Sequence, residues 1–135
     1  MEKTLPALKI VVLDDDKAFT EVITTYINHI DPNINIFAFN DTLEARKYVS
    51  NNEIDILFTG YIMPVLNGLQ IIESAQLTVK KVLISGYYLK LDAKTLSRLS
   101  ELKVTCFDKP ISLREIDKII TDYKNETLNK LQLKV

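Results

Sequence analysis

The fold is decided by the stretch Asp55-Ile-Leu-Phe-Thr-Gly60-Tyr-Ile-Met-Pro64-Val-Leu-Asn-Gly68. An apolar strand stops at Gly60, a Met-Pro loop follows, and an Asn-Gly turn leads into an apolar helix start. Strand, loop and helix in this order form half of a βαβ unit. In open α/β sheets the ligand site lies at the carboxyl ends of the strands, so we expect the functional site around Gly60.

The composition of the 135 residues is that of an ordinary globular protein. Hydrophobic residues make up 47% and charged residues 26%, with a net charge of -1. This balance gives no sign of binding to nucleic acid or to an anionic membrane. No apolar run approaches the roughly 20 residues of a membrane span, and because Met1 to Leu8 has no long apolar core we expect no signal peptide. The single Cys106 excludes an internal disulfide and fits a reducing compartment, so we expect a cytoplasmic protein.

Hydrophobic periodicity predicts five strands that alternate with five helices. The predicted strands are Lys9 to Leu13, Ile34 to Phe39, Ile54 to Thr59, Lys81 to Ser85 and Val104 to Phe107. The predicted helices begin at Asp16, at Asp41 or Thr42, at Gly68, at Asp92 (with Ala93, Leu96 and Leu99 inward) and at Ser112. Because a helix lies in every link between strands, the sheet should be parallel, with helices on both faces. The expected fold class is a three-layer α/β/α sandwich.

The chain is expected to be one domain over residues 1–135, with its core at about 8–123. Residues 124–135 contain no glycine or proline and are either a helical extension or a frayed tail. In a helical extension, Leu128, Leu131 and Leu133 would need cover from a partner or a second copy. Tyr87-Tyr88-Leu89 is interpreted as packing on the fourth helix, with an exposed recognition patch as the alternative.

Residues of distinctive chemistry follow the predicted strands. Asp14 and Asp15 follow the first strand, Gly60 the third, Ser85 ends the fourth, and Lys109 follows the fifth. Taken singly they are unremarkable, since acidic residues often cap helices and a lysine is usually on the surface. Because the carboxyl ends of parallel strands meet at one edge, together they indicate a site.

Four motifs, in order and spacing, resemble the receiver domain of bacterial response regulators over about residues 8–123. They are Lys9-Ile-Val-Val-Leu-Asp14-Asp15-Asp16, the stretch from Asp55 to Gly68, Leu83-Ile-Ser85-Gly86, and Lys109-Pro110. The resemblance implies a flavodoxin-like sheet of order 2-1-3-4-5. It also implies a proline peptide bond that is commonly cis and a role in two-component, phosphorelay signal transduction.

Two positions depart from the pattern that the resemblance implies. The family's aspartate, which takes up a phosphoryl group, is Gly60 here, and Cys106 stands where an aromatic switch residue is usual. Asp14 and Asp15 correspond to the family's magnesium ligands, and Ser85, Gly86 and Lys109 to its phosphate pocket. Without a third carboxylate, Mg²⁺ should bind weakly or not at all, and Lys109 should pair with an aspartate directly. No other cofactor is expected.

The sequence therefore predicts a receiver-like signalling module that is not an enzyme, is not phosphorylated in the usual way, and acts by protein–protein interaction. The expected partner is a histidine kinase or another signalling protein, or a second copy through the face of the fourth helix, fifth strand and fifth helix. The alternative is a conventional phosphorylatable regulator in which Gly60 is an engineered or unrepresentative substitution. A DNA-binding regulator is disfavoured, because no basic recognition helix is evident.

Overall fold

The computed structural model describes residues 5–86 and 90–133, and the side chains of these residues up to Gln132. Five strands alternate with five helices along the chain. The strands are β1 (Lys9–Leu13), β2 (Asn35–Phe39), β3 (Ile56–Thr59), β4 (Lys80–Ser85) and β5 (Thr105–Asp108). The helices are α1 (Lys17–Ile30), α2 (Thr42–Asn51), α3 (Gly68–Ser74), α4 (Ala93–Glu101) and α5 (Leu113–Leu133). The predicted element order is confirmed, with boundaries that shift by one or two residues.

The strands form one parallel sheet of order β2-β1-β3-β4-β5, which confirms the predicted flavodoxin-like α/β fold. Strand β1 lies between β2 and β3, with Lys9 paired to Asn35 of β2 and Ile10 to Ile56 of β3. All four residues of β3 are buried, as expected for a strand covered on both faces. By contrast, β2 lies at an edge and is only half-buried.

Two apolar clusters lie on opposite faces of the sheet, because successive strand residues point to opposite sides. Ile10 and Val12 face the cluster that α1 and α5 complete, and Val11 and Leu13 face the cluster that α2, α3 and α4 complete. The prediction for α4 was partly wrong: Leu99 is buried, but Leu96 is only half-buried and Ala93 is exposed. The residues Tyr87-Tyr88-Leu89 lie outside the described part of the chain.

The helix starts are fixed by side chains that accept backbone N–H groups left without partners. Asp16 caps α1 and Asp41, rather than Thr42, caps α2. Asn67 and Gln70 form a reciprocal capping box at α3. Ser112 and Glu115 do the same at α5, where the Ser112 hydroxyl accepts the N–H of Glu115 at 3.1 Å. These caps set the point at which each loop of the carboxyl edge ends.

Helix α5 continues past Tyr123 to Leu133, so the helical alternative for this segment is the one observed. Lys124 ties the extension to the end of α1 through a 2.7 Å ion pair with Asp31. Leu128 is half-buried and lines a cleft with residues 5–8, so the chain itself supplies part of its cover. The side chain of Leu133 is outside the described residues. No helix in the described part is long and apolar enough to cross a membrane.

Asp55 joins three elements at the amino edge of the sheet, opposite the strand ends that carry the predicted site. One carboxylate oxygen accepts the backbone N–H of Lys9 at 2.7 Å, and the other accepts the Tyr123 hydroxyl at 2.7 Å. Burial and the hydrogen bond to this carboxylate raise the pKa of Tyr123 to about 12. The hydroxyl must therefore lose a stabilising contact before it can ionise.

We expect the stability of the protein to fall between about pH 10 and pH 12 and to fall less in Tyr123→Phe. A group whose pKa is higher in the folded state contributes stability below its unfolded pKa and loses it as the pH rises through the folded value. Lysines deprotonate over the same pH range in both proteins. The difference between the urea midpoints of wild type and Tyr123→Phe therefore measures the contribution of Tyr123 alone. If the urea midpoints of the two proteins fall equally with pH, the Tyr123 hydroxyl ionises as easily in the folded as in the unfolded chain, and the prediction is wrong.

Candidate functional site

The structure brings four of the predicted site residues to one edge of the sheet. Asp14 follows β1, Gly60 follows β3, Ser85 ends β4 and Lys109 follows β5. The backbone N–H of Gly60 donates to the carbonyl of Leu13 at 2.9 Å, and that of Lys109 donates to the carbonyl of Ser85 at 3.2 Å. The parallel ladder thus continues one residue beyond the strands, which fixes the backbone of the site.

Asp14 lies at the centre of the site and is 1% exposed. One carboxylate oxygen, Oδ2, forms a 2.8 Å ion pair with Lys109 Nζ, and the other accepts the backbone N–H of Asp16 at 2.9 Å. The carbonyl of Asp14 accepts the side-chain amide of Asn40 at 2.8 Å. Because both carboxylate oxygens are engaged, the buried charge is compensated within the protein.

Lys109 reaches Asp14 from β5 with its side chain about one-third exposed. Its amine also lies 4.3 Å from the centre of the Phe19 ring, within the range of a cation–π contact. The peptide bond between Lys109 and Pro110 is cis. Neither Phe19 nor Asn40 was predicted to belong to the site. Phe19 is indicated in the sequence only by the apolar spacing of α1, and Asn40 only by its position directly after β2.

The space beside Gly60 is occupied by the Asp14 carboxylate. A Cβ built on Gly60 would lie 2.6 Å from Asp14 Oδ2 and 3.3 Å from its Cγ. These distances are shorter than van der Waals contact, so a side chain at residue 60 requires Asp14 to move. Asp14 therefore fills the room that a side chain at this position would need.

The residues present do not fit the magnesium site that the resemblance implies. Asp14 is committed to Lys109, Gly60 has no side chain, and the exposed Asp15 carboxylate has no hydrogen bond or ion pair in the described structure. Within residues 5–86 and 90–133, no three acidic, histidine or cysteine side chains are grouped as metal ligands. Mg²⁺ is held through carboxylate oxygens and water, and with Asp14 paired to Lys109 only the exposed Asp15 is left here to anchor it, so binding should be weak.

The predicted phosphate-pocket and switch residues sit around this pair. Ser85 is 3% exposed at the end of β4, whereas Gly86 is exposed, with open space where a Cβ would be. Cys106 lies in β5 opposite Leu83 and packs into the cluster on the α4 side. Burial raises the pKa of the Cys106 thiol. Their roles in binding phosphate and in switching stay predictions.

The loop from Gly60 to Gly68 is closely tied to its surroundings. The N–H of Gly68 donates to the carbonyl of Tyr61 at 2.9 Å, and the Thr42 hydroxyl donates to the carbonyl of Pro64 at 2.9 Å. A Cβ on Gly68 would overlap the carbonyl oxygen of Gly60 and would lie 2.9 Å from Leu83 Cδ1. Only glycine allows this approach, so Gly68 holds the loop against the end of β3.

The sequence matches a known family over most of its length. The model of the response regulator receiver domain matches residues 10–121. Over 69 residues the chain is 30% identical to the cyclic di-GMP phosphodiesterase response regulator RpfG of Xanthomonas campestris pv. campestris. That match covers 51% of this chain and 18% of the relative, so the chain spans only about a fifth of the curated protein it matches.

Solved structures share the fold at low identity. A CheY-like receiver domain protein from Methanospirillum hungatei JF-1 superposes with a TM-score of 0.80 at 16% identity, covering 92% of this chain and 98% of that one. The N-terminal domain of an uncharacterized protein from Wolinella succinogenes gives 0.77 at 25% identity, covering 92% and 99%. Likeness at this level establishes the architecture around the site and leaves its chemistry to the residues themselves.

Proposed function

The chain belongs to the response regulator receiver domain family, and from this membership we propose that it is a receiver that is not phosphorylated at residue 60. Receivers of this family are signalling modules of two-component systems. In this proposal the domain contributes to such a system by binding another protein, a histidine kinase or a different signalling component. Dimers through the face of α4, β5 and α5 belong to the same proposal, as does a cytoplasmic location.

The observation that carries the proposal is the Asp14–Lys109 pair lying over Gly60. Gly60 offers no nucleophile, and the Asp14 oxygen that contacts Lys109 lies only 2.6 Å from where a Cβ at residue 60 would be. A phosphoryl group or Mg²⁺ would have to break a 2.8 Å ion pair inside the protein before either could bind. Removing one partner of a buried pair leaves an uncompensated charge, so the closed arrangement is favoured.

The experiment is incubation with acetyl phosphate and Mg²⁺, followed by intact-mass measurement of wild type and Gly60→Asp. We expect the wild-type mass to stay unchanged. We also expect amide NMR shifts near Cys106 to stay fixed, because no acyl phosphate forms to alter the pocket. A phosphoryl mass on the wild-type protein would refute the proposal and support a conventional receiver with another acceptor.

The Gly60→Asp variant is the positive control in this experiment. Without metal it should be less stable than wild type by about 2–4 kcal/mol, because a third carboxylate is forced against Asp14. Mg²⁺ should recover part of that loss by binding the folded state, since a cation can bridge the crowded carboxylates. Thermal melts with and without Mg²⁺ measure both effects. A variant as stable as wild type without metal would contradict the crowding at residue 60.

A further inference from the structure

The loop that begins at Gly60 ends in a chemically reactive pair of residues. Asn67 is the single asparagine in the sequence that is followed by a glycine. The side-chain carbonyl carbon of an asparagine can be attacked by the backbone nitrogen of the next residue. A glycine in that next position hinders the attack least, because it has no Cβ. Asn67 and Gly68 can therefore react with each other unless the fold prevents it.

The fold itself requires the glycine of this pair. A Cβ on Gly68 would overlap the carbonyl oxygen of Gly60 and would lie 3.0 Å from Tyr61 Cα. A larger residue, which would slow the attack on Asn67, therefore does not fit against the end of β3. The residue that allows the loop to pack is also the one that makes Asn67 reactive, so any protection of Asn67 must come from the folded structure.

Two features of the folded loop oppose the reaction. The attacking nitrogen, that of Gly68, donates its hydrogen to the carbonyl of Tyr61 at 2.9 Å. Asn67 is the N-cap of α3, and its side-chain oxygen accepts the N–H of Gln70 at 3.0 Å. The cap holds ψ of Asn67 at 170°, whereas ring closure requires rotation about the Cα–C bond until the Cβ eclipses the Gly68 nitrogen. The attack therefore requires the loop to open first.

We propose that Asn67 is a deamidation site whose reaction is controlled by opening of the loop at residues 60–68. In the open loop the Gly68 nitrogen loses its proton to solvent and bonds to Asn67 Cγ, and the side-chain amide takes up a proton and leaves as ammonia. One water molecule then opens the succinimide ring. Cleavage between Cγ and the nitrogen gives aspartate, and cleavage between the main-chain carbonyl carbon and the nitrogen gives isoaspartate. This reaction lies outside the proposed function and does not depend on it.

The two products have different consequences for the loop. Aspartate leaves the main chain unchanged, is as good an N-cap as asparagine, and carries a charge that is favourable at a helix N-terminus. Isoaspartate passes the main chain through Cβ and Cγ, which adds one carbon atom before Gly68. The carbonyl of Asn67, which accepts the N–H of Ile71 at 3.3 Å, then leaves the main chain. Because Gly68 has no spare room beside Gly60, isoaspartate releases the loop from the end of β3.

The test follows deamidation of the full chain by peptide mapping and mass spectrometry at mildly alkaline pH, in native buffer and in guanidinium chloride. We expect Asn67 to react at least about tenfold more slowly in the folded protein, because only the open fraction reacts. Thr42→Val removes the hydrogen bond to the Pro64 carbonyl and should raise the folded rate about fivefold, as loss of one hydrogen bond would. That carbonyl still accepts the N–H of Leu66, so it is not left unpaired.

Two control variants separate the loop contact from other effects. Thr42→Ser keeps the hydroxyl and should react as wild type does. Thr25→Val removes a hydroxyl that donates to the Glu21 carbonyl within α1, away from the loop, and should also leave the rate unchanged. The proposal is overturned if Asn67 reacts equally fast in the folded and unfolded chains, or if Thr42→Val reacts no faster than wild type.

The effect of each product is measured by thermal melts. The products, formed in guanidinium chloride and refolded, are separated by chromatography. We expect the isoaspartate form to melt about 5 °C below wild type, and Asn67→Asp, which reproduces the other product, to melt at or slightly above wild type. An isoaspartate form as stable as wild type would refute the release of the loop. Equal losses in the isoaspartate form and Asn67→Asp would refute the role of the longer main chain, since charge alone would then explain them.

Discussion

Lys109→Met is expected to reduce the free energy of unfolding by about 2–3 kcal/mol, somewhat less than the loss of about 3–5 kcal/mol typical of a fully buried ion pair, because the Lys109 side chain is about one-third exposed. Asp14 is 1% exposed and has no other cation within ion-pair distance among the described residues. The variant therefore leaves a carboxylate that is neither solvated nor paired. Urea unfolding at neutral pH, with the midpoint and slope compared with wild type, measures the effect.

Two further variants make the interpretation of Lys109→Met specific. Lys118→Met breaks an exposed ion pair with Asp122 and should leave the stability nearly unchanged, because solvent screens exposed pairs. Adding Asp14→Asn to Lys109→Met removes the uncompensated charge and should restore most of the lost stability. If the double variant is as unstable as Lys109→Met, the loss comes from the contact between the Lys109 amine and the Phe19 ring rather than from the unpaired charge of Asp14.

Gly68→Ala should destabilise the protein by about 2–4 kcal/mol, or lower its melting temperature by about 10 °C. The added methyl group overlaps the Gly60 carbonyl oxygen and lies 3.0 Å from Tyr61 Cα, and neither backbone atom can rotate away. The loop must then separate from the end of β3, which also disturbs the Asp14–Lys109 pair. Differential scanning calorimetry detects the shift.

Gly86→Ala is the matched control for Gly68→Ala, because a Cβ at residue 86 meets nothing within 4 Å. Neither glycine has a positive φ, so the two substitutions differ mainly in the space available. Gly86→Ala should leave the stability unchanged or raise it slightly by restricting the unfolded chain. Equal losses for the two variants would show that flexibility, and not close approach, is what these glycines provide.

The architecture followed from the sequence because its signals are local and repeated. Short apolar runs such as Lys9 to Leu13 favour buried strands, and a helix between every two successive strands favours a parallel sheet. Helix caps could be predicted for the same reason, because Asp16 or Ser112 accepts the N–H groups of residues two or three positions further along the chain. Ala93 was misplaced because the short helix α4 shows its apolar side mainly through Leu99.

The site could be predicted from the sequence only in part. The convergence of Asp14, Gly60, Ser85 and Lys109 followed from topology, and so did the expectation that Lys109 meets an aspartate. Which aspartate it meets did not follow, because Asp14 and Asp15 are adjacent and only the twist of the chain after β1 sends the first inward and the second to solvent. The positive φ of Val65, 72°, could not be predicted either, because a backbone dihedral is set by the whole loop between Gly60 and Gly68.

The position of the Asp14 carboxylate sets the cost of placing any side chain at residue 60. The new side chain can enter only if that carboxylate moves from its place beside Lys109. For an acidic side chain, Mg²⁺ that binds the variant would offset part of this cost by mass action. The difference in stability between glycine and aspartate at residue 60 should therefore depend on the magnesium concentration.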